Sequence, residues 1–164
     1  MNEIKYICNS WILSNQIYKI VDKKDVVVLD VGCNNGDWIN LHTQGLDNIS
    51  KIIGIDVDPK IIAQANSNAK DNQRFYTLDC ESPDFYEKIC DIMDENNISG
   101  FDYVCLSMLL MHLSKPFALI RNIHKLMKVG GRIFVNEEDD SLVLAHPDNN
   151  AIVGKFIEIS DFEK

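Results

Sequence analysis

Basic residues are scarce in this chain of 164 residues: 16 Lys and Arg stand against 25 Asp and Glu, for a net charge of −9. A protein that grips nucleic acid neutralises phosphates with Lys and Arg, so the balance argues against a nucleic-acid partner. Long apolar runs are missing as well. None approaches the ~20 residues that a membrane helix needs. The N-terminal stretch lacks a basic region followed by an apolar core, so neither a membrane span nor an export signal is expected. The cysteines, Cys8, Cys33, Cys80, Cys90 and Cys105, are odd in number and scattered. No Cys-x-x-Cys pair occurs, and no metal site is expected. Three of them lie beside or within apolar runs, the pattern of reduced, partly buried thiols in a cytoplasmic protein. Glycine is thin where a phosphate loop would need it. There is no Gly-Lys-Ser/Thr, and no Gly-x-Gly-x-x-Gly of the kind that lets a pyrophosphate approach the backbone.

What is present is ordinary globular material, 46% apolar and 25% charged, enough for one domain with a real core. Residues 7–22, with Trp11, Ile12, Ile17, Ile20 and Val21 at three- and four-residue spacings, predict a leading helix. "DVVVLDV" (25–31) is a valine-rich run apolar on both faces, as in a parallel strand covered by helices on each side. Helix and strand then alternate. A helix is predicted over 37–46 and a strand over 51–57. A helix over 58–70 follows, with Asp58 as N-cap, Pro59 first, and Ile61, Ile62, Ala65 and Ala69 on one face. A strand is read over 74–80. The next helix, over 82–97, has Ser82 as cap, Pro83 first and Phe85, Ile89, Ile92 and Met93 as its stripe. After a strand over 101–110, a helix over 115–131 is closed by Gly130 or Gly131. A strand over 132–139 and a final helix over 149–162 complete the reading. Five such alternations predict an α/β fold with a doubly wound, mostly parallel sheet. The expected organisation is a leading helix (1–24), a core sheet (25–140), and a C-terminal loop and helix (141–164).

In a sheet of this kind ligands bind beyond the C-terminal ends of the strands. The first strand ends at Asp30-Val31-Gly32, the second at Asp56, the third at Asp79, the fourth at Ser107 and the fifth at Asn136-Glu137. Any one aspartate is explained by a cap or a turn. Three in register favour a ligand whose hydroxyl or amine donors need acceptors. Asp56 follows Gly32 by 24 residues, close to the spacing at which dinucleotide folds hold a ribose. The loop Gly32-Cys33-Asn34-Asn35-Gly36 has the wrong spacing for a nicotinamide dinucleotide, which leaves an NAD(P)-dependent reductase as the weaker alternative. Cys33 itself reads as a packing thiol.

"VLDVGCNNGDW", "IIGIDVDP", "FYTLDC", "FDYVCLSMLLMHL" and "LMKVGGRIFVN" resemble, in order and spacing, the successive motifs of class I S-adenosylmethionine-dependent methyltransferases, over roughly residues 26–136. The resemblance implies a Rossmann-like methyltransferase fold, S-adenosyl-L-methionine as cofactor and a small-molecule acceptor. It places Asp30, Gly32, Cys33, Asn34 and Gly36 on the loop around the cofactor's amino-acid end. Asp56 matches the acid on the ribose and Val57 lies beside the adenine. Asp79 and Cys80 match the adenine edge, and Leu106 and Ser107 the floor under the methyl donor. "EEDDSLVLAHPDN" is similar to a subgroup with an acidic pair and a later Pro-Asp, without an assigned substrate.

Two departures from the family stand out. Asn34 occupies a position where the family has glycine. Asparagine tolerates positive φ, so a left-handed residue and a weakened grip are expected there. The chain stops at Lys164, where the family continues into an antiparallel hairpin. That hairpin is expected to be missing, leaving the fifth strand as an exposed edge open to self-association.

An activated methyl group needs alignment more than acid–base help. His112 and Glu137 are the candidate catalytic residues, with a structural role for His112 kept beside the catalytic one. His124 reads as surface, and Glu137–Asp140 as a solvated loop with Asn136 or Glu137 turned inward. Tyr6, Trp11 and Tyr18 either close over the cofactor or pack the leading helix on the sheet. A cofactor-binding module without its own catalysis is the alternative function.

Overall fold

The computed structural model describes residues 23–137. Within them β1 (Val26–Val31), β2 (Ile49–Asp56), β3 (Gln73–Thr77), β4 (Phe101–Ser107) and β5 (Met127–Asn136) alternate with α1 (Asp37–His42), α2 (Pro59–Ser67), α3 (Phe85–Glu95) and α4 (Pro116–Leu126). The strands form one sheet in the order β3-β2-β1-β4-β5, with every neighbouring pair parallel. The chain winds outward from β1 to one edge, then crosses back to lay β4 on its other side. That crossing, between β1 and β4, is where a cleft opens in such a sheet.

β1 is buried at all six positions, which is why its sequence reads as an unbroken apolar run rather than an alternation. Val27, Leu29 and Val31 pack against Phe85, Ile89 and Ile92 of α3 and Leu119, Ile123 and Leu126 of α4. Val26 and Val28 face the opposite layer, with Ile39 of α1, Ile62 and Ala65 of α2, and Tyr103 and Cys105 of β4. Asp58 caps α2 as its sequence predicts: its Oδ1 accepts the Lys60 N–H at 2.8 Å, with Pro59 in the first turn.

Several boundaries differ from the sequence reading. α1 stops at His42 after six residues. α3 begins at Phe85, because the Ser82 carbonyl accepts the Phe85 N–H at 3.0 Å in a turn ahead of it and the Ser82 hydroxyl donates to the Asp84 carboxylate instead of capping. β3 ends at Thr77, so Asp79 lies two residues beyond it, and β4 ends at Ser107, which leaves 108–110 in a turn. The largest change is at α4, which ends at Leu126. Met127 already pairs with Phe101, and the register then jumps so that Tyr103 faces Arg132. Gly130, at φ 79, belongs to this bulge and does not close the helix. A side chain at Gly131 would stand 3.1 Å from the Phe101 carbonyl, so any larger residue crowds the crossing.

The bulge brings Lys128 onto Asp102. The Asp102 Oδ2 accepts from Lys128 Nζ at 2.8 Å and from the Val27 N–H at 2.9 Å, and Lys23 Nζ lies 2.7 Å from Oδ1. Burial alone would raise this carboxyl's pKa, but the two lysines and the amide outweigh it and hold it below the usual range. The beginnings of β1, β4 and β5 are tied together there, at the end of the sheet away from the cleft.

Cys33 and Cys105 are buried, Cys80 and Cys90 partly so, and all four are free thiols. No helix among the described residues is long and apolar enough to cross a membrane. Among the described residues β5 is an edge of the sheet, with Val129 and Val135 exposed. The predicted leading helix, the acids 138–140, the final helix and any further strand lie outside the described residues.

Candidate functional site

Beyond the C-terminal ends of β1, β2 and β3 lies a cleft of about 260 Å³. Gly32, Asp56, Val57, Asp79, Cys80 and Glu81 line one side, and Leu109, His112 and Leu113 the other. Val31, Ile55 and Leu78 supply apolar floor between them.

The loop from β1 into α1 is shaped by three residues with positive φ: Gly32 (73°), Asn34 (50°) and Gly36 (81°). Asn34 does take the left-handed conformation that its type permits. The Ile55 carbonyl accepts the N–H groups of both Gly32 and Cys33 at 2.9 Å, and the Cys33 carbonyl accepts the Gly36 N–H at 3.0 Å. Asn34 Oδ1 accepts the Asn35 N–H at 2.7 Å. Asn35 then holds Asp37 in both directions, donating to its Oδ2 at 2.7 Å and accepting its N–H at 3.2 Å. A Cβ at Gly32 would come within 3.0 Å of Leu109 Cδ1, and one at Gly36 within 2.8 Å of Phe75 Cζ. Both glycines are needed for close approach as well as for their φ.

Asp56 closes this loop onto β2. Its Oδ2 accepts the Asn34 N–H at 3.0 Å and its Oδ1 the Asp58 N–H at 3.0 Å. A carboxylate has about four lone-pair sites, so acceptor capacity remains on the cleft side. Asp79 Oδ1 accepts the Glu81 N–H at 2.8 Å. Glu81 reaches across the cleft mouth: its Oε1 accepts the Ser114 hydroxyl and the Lys115 N–H, each at 2.8 Å. Those bonds hold its carboxyl below the usual range.

Asp30 sits beneath the loop, 2% exposed, in a row that runs across the sheet through Phe134, Cys105, Asp30, Gly54 and Phe75. Its Oδ2 is buried and has no partner among the described residues. Burial first, and the charge of Asp56 second, raise its pKa to about 7. The thiols nearby are pushed up too: Cys105 well up by burial and Asp30, and Cys33 by burial, Asp30 and Asp56. Burial, Asp79 and Glu81 bring Cys80 to about 11. Each shift disfavours the thiolate, the form of cysteine that acts as a nucleophile.

A raised carboxyl pKa favours the folded state fully below the unfolded value of 3.8, and that contribution is lost as pH rises through about 7. Asp30→Asn abolishes the titration. The stability of the variant relative to the natural protein is therefore expected to rise between pH 4 and 8, by on the order of 4 kcal/mol if the full shift is expressed. Urea midpoints of both proteins across this range measure it, and a constant difference between the two curves would refute the assignment.

Of the residues singled out in the sequence, Gly32, Asp56, Val57, Asp79, Cys80 and His112 reach the cleft. Cys33, Asn34 and Gly36 build the loop under it, and Asp30 lies in β1 beneath that loop. Leu106 is fully buried in β4, and the Ser107 hydroxyl accepts from Asn136 Nδ2 at 3.0 Å, so neither lines the cleft wall. Glu137 points to backbone: its Oε1 accepts the N–H groups of Leu109 at 2.9 Å and Leu110 at 2.7 Å. His124 is exposed on α4. No cluster of His, Cys, Asp and Glu among the described residues is arranged to hold a metal ion. Leu109, Leu113 and Glu81 went unremarked in the sequence. The acid two residues after Asp79 was the one available signal, and the path of the turn after β4 could not be read from composition.

A family model described as a methyltransferase domain matches residues 22–158. Among curated relatives, the mitochondrial ubiquinone biosynthesis O-methyltransferase of Dictyostelium discoideum is 29% identical over 143 residues, 81% of this chain and 43% of that one. The ubiquinone biosynthesis O-methyltransferase of Coxiella burnetii is 29% identical over 108 residues, 65% of this chain and 41% of that one. The chain thus spans less than half the length of these relatives. Among solved structures, the plantazolicin methyltransferase BamL, in complex with a triazolic desmethylPZN analogue and SAH, superposes with a TM-score of 0.63 at 18% identity, over 85% of this chain and 49% of that one. The [4+2]-cyclase SpnF superposes with a TM-score of 0.55 at 25% identity, over 76% of this chain and 43% of that one.

Proposed function

The chain belongs to the methyltransferase-domain family, and from that premise we propose that it transfers a methyl group from S-adenosylmethionine to a small-molecule acceptor. The observation that carries the proposal is the cleft over β1–β3, where a loop at positive φ and the Asp56 carboxylate meet. Residues 25–140 form the cofactor-binding core in this reading. The cleft's chemistry fits the cofactor. Asp56 retains lone pairs for ribose hydroxyls, and Val57, 64% exposed, offers an apolar surface to an adenine. Asp79 and Cys80 stand at the adenine edge. Asp30, with its orphaned Oδ2, lies under the loop that would hold the amino-acid end.

The cofactor supplies a methyl group already activated on a positively charged sulfur. The residues of this chain then have three tasks: to hold the donor in line with the acceptor, to keep water from the path, and to accept a proton where the acceptor is a hydroxyl. His112, at the mouth beside Leu109 and Leu113, is the group placed to accept that proton. Because the relatives are named as O-methyltransferases, hydroxyl compounds are the first acceptors to assay. The free thiols support a reducing, cytoplasmic location.

Calorimetric titration with S-adenosylhomocysteine and with NAD tests the proposal: saturable heat is expected with the first and none with the second, and the reverse would sink it. A second reading has its own support. A protein with this fold is named a [4+2]-cyclase, so the fold alone does not fix the reaction. Tight S-adenosylhomocysteine binding without turnover on a panel of hydroxyl, amine and thiol acceptors would favour a cofactor-binding module.

A further inference from the structure

We infer that Glu137 is a positioning residue, which acts on the cofactor cleft through Leu109; the inference rests on the reading above. The turn that follows β4 is not relaxed. Met108 has φ 53°, a left-handed conformation that is costly for an unbranched apolar side chain and persists only where its surroundings impose it. The end of β5 imposes it at three points. The Asn136 carbonyl accepts the Met108 N–H at 2.7 Å, and Asn136 Nδ2 donates to the Ser107 hydroxyl at 3.0 Å. Glu137 Oε1 gathers the next two amides, Leu109 and Leu110, at 2.9 and 2.7 Å. One carboxylate oxygen thus satisfies two N–H groups at the start of the short turn Leu110–His112.

The product of this grip is the placement of Leu109. Its side chain stands over Gly32, where an added Cβ would have Leu109 Cδ1 at 3.0 Å and Cβ at 3.6 Å. It also lines the cleft, as does His112 two residues after the second amide that Glu137 holds. The path from Glu137 to the cofactor loop is short: carboxylate, two amides, one leucine, one glycine. The end of β5 therefore sets the shape of the loop that follows β1. The role requires an oxygen acceptor at this position and does not require a proton to be taken up, which separates it from general-base catalysis.

Substitutions at Glu137 and Leu109 test it, with S-adenosylhomocysteine affinity by calorimetry and amide exchange at Leu109 and Leu110 as readouts. E137Q keeps an oxygen acceptor and is expected to bind within about twofold of the natural protein, with unchanged exchange. E137A is expected to lose about tenfold in affinity and to expose both amides. In an L109A background the further loss from E137A should shrink to within about twofold, because the two act in series. Should E137A fail to fold, E137D withdraws the oxygen from the amides and carries the same expectations. Natural affinity in E137A, a loss in E137Q as large as in E137A, or full additivity with L109A would each overturn the inference. Absence of binding by the natural protein would instead bring down the reading of the site, and the inference with it.

Discussion

Asp56→Ala is expected to lower affinity for S-adenosylhomocysteine by at least 100-fold, and to loosen the loop as it does so. Hydrogen bonds to a charged acceptor contribute about 1.5–3 kcal/mol each, so the loss of two from ribose hydroxyls accounts for that factor. The substitution is not a probe of ribose binding alone. The structure makes it a compound one, since the same carboxylate accepts the N–H groups of Asn34 and Asp58. Removing it frees the left-handed residue of the loop and the backbone just ahead of α2. Two measurements separate the effects. Calorimetry reports the affinity, and amide exchange at Asn34 and Asp58 reports the loop. An affinity unchanged in the variant would remove Asp56 from the site.

The second large effect is expected at Gly54→Ala, with a loss of about 3 kcal/mol of stability from overpacking. Gly54 lies in the middle of β2, beside Asp30 on one side and Phe75 on the other. A Cβ there would overlap the Phe75 ring and stand 2.9 Å from Cys33 Sγ. The ring has no free side to turn to. It is buried, and its far end already fills the space over Gly36, where a Cβ would sit 2.8 Å from Cζ. The methyl group therefore drives the ring toward the α1 end of the loop. Denaturant midpoints measure the loss. Phe75→Leu in the same chain, with a smaller side chain, should recover at least half of it. Failure to recover would place the strain elsewhere, and an undiminished midpoint in Gly54→Ala would show that the ring can yield.

The two substitutions also mark how far the sequence could be read. The order of elements was legible because the central strands β1 and β4 are apolar on both faces and the helices on one, and each periodicity has one physical cause. The three acids were legible as a group because they follow apolar runs at the spacing of a wound sheet. Gly54 was not, because glycine within a strand reads only as a weak strand former until the register sets Phe75 beside it. The start of β5 was hidden for a similar reason. "KLMKVGG" continues the helical pattern of α4, and only pairing with Phe101 and the bulge at Gly130 end it. Glu137 was singled out as a candidate acid, but its partners are the amides of a turn 27 and 28 residues earlier. Such partners become visible only when β4 and β5 lie side by side.

The clamp within the cofactor loop bears on how the protein ages. Asn35 precedes Gly36, the pairing most prone to spontaneous deamidation, in which the following backbone nitrogen attacks the asparagine side-chain carbonyl. In the folded chain both reactants are occupied. The Gly36 N–H is given to the Cys33 carbonyl, and both ends of the Asn35 amide are held by Asp37. The loop is thereby protected chemically for as long as it stays in place, and a molecule that spends time with its loop open accumulates a new negative charge in the loop that underlies the cleft.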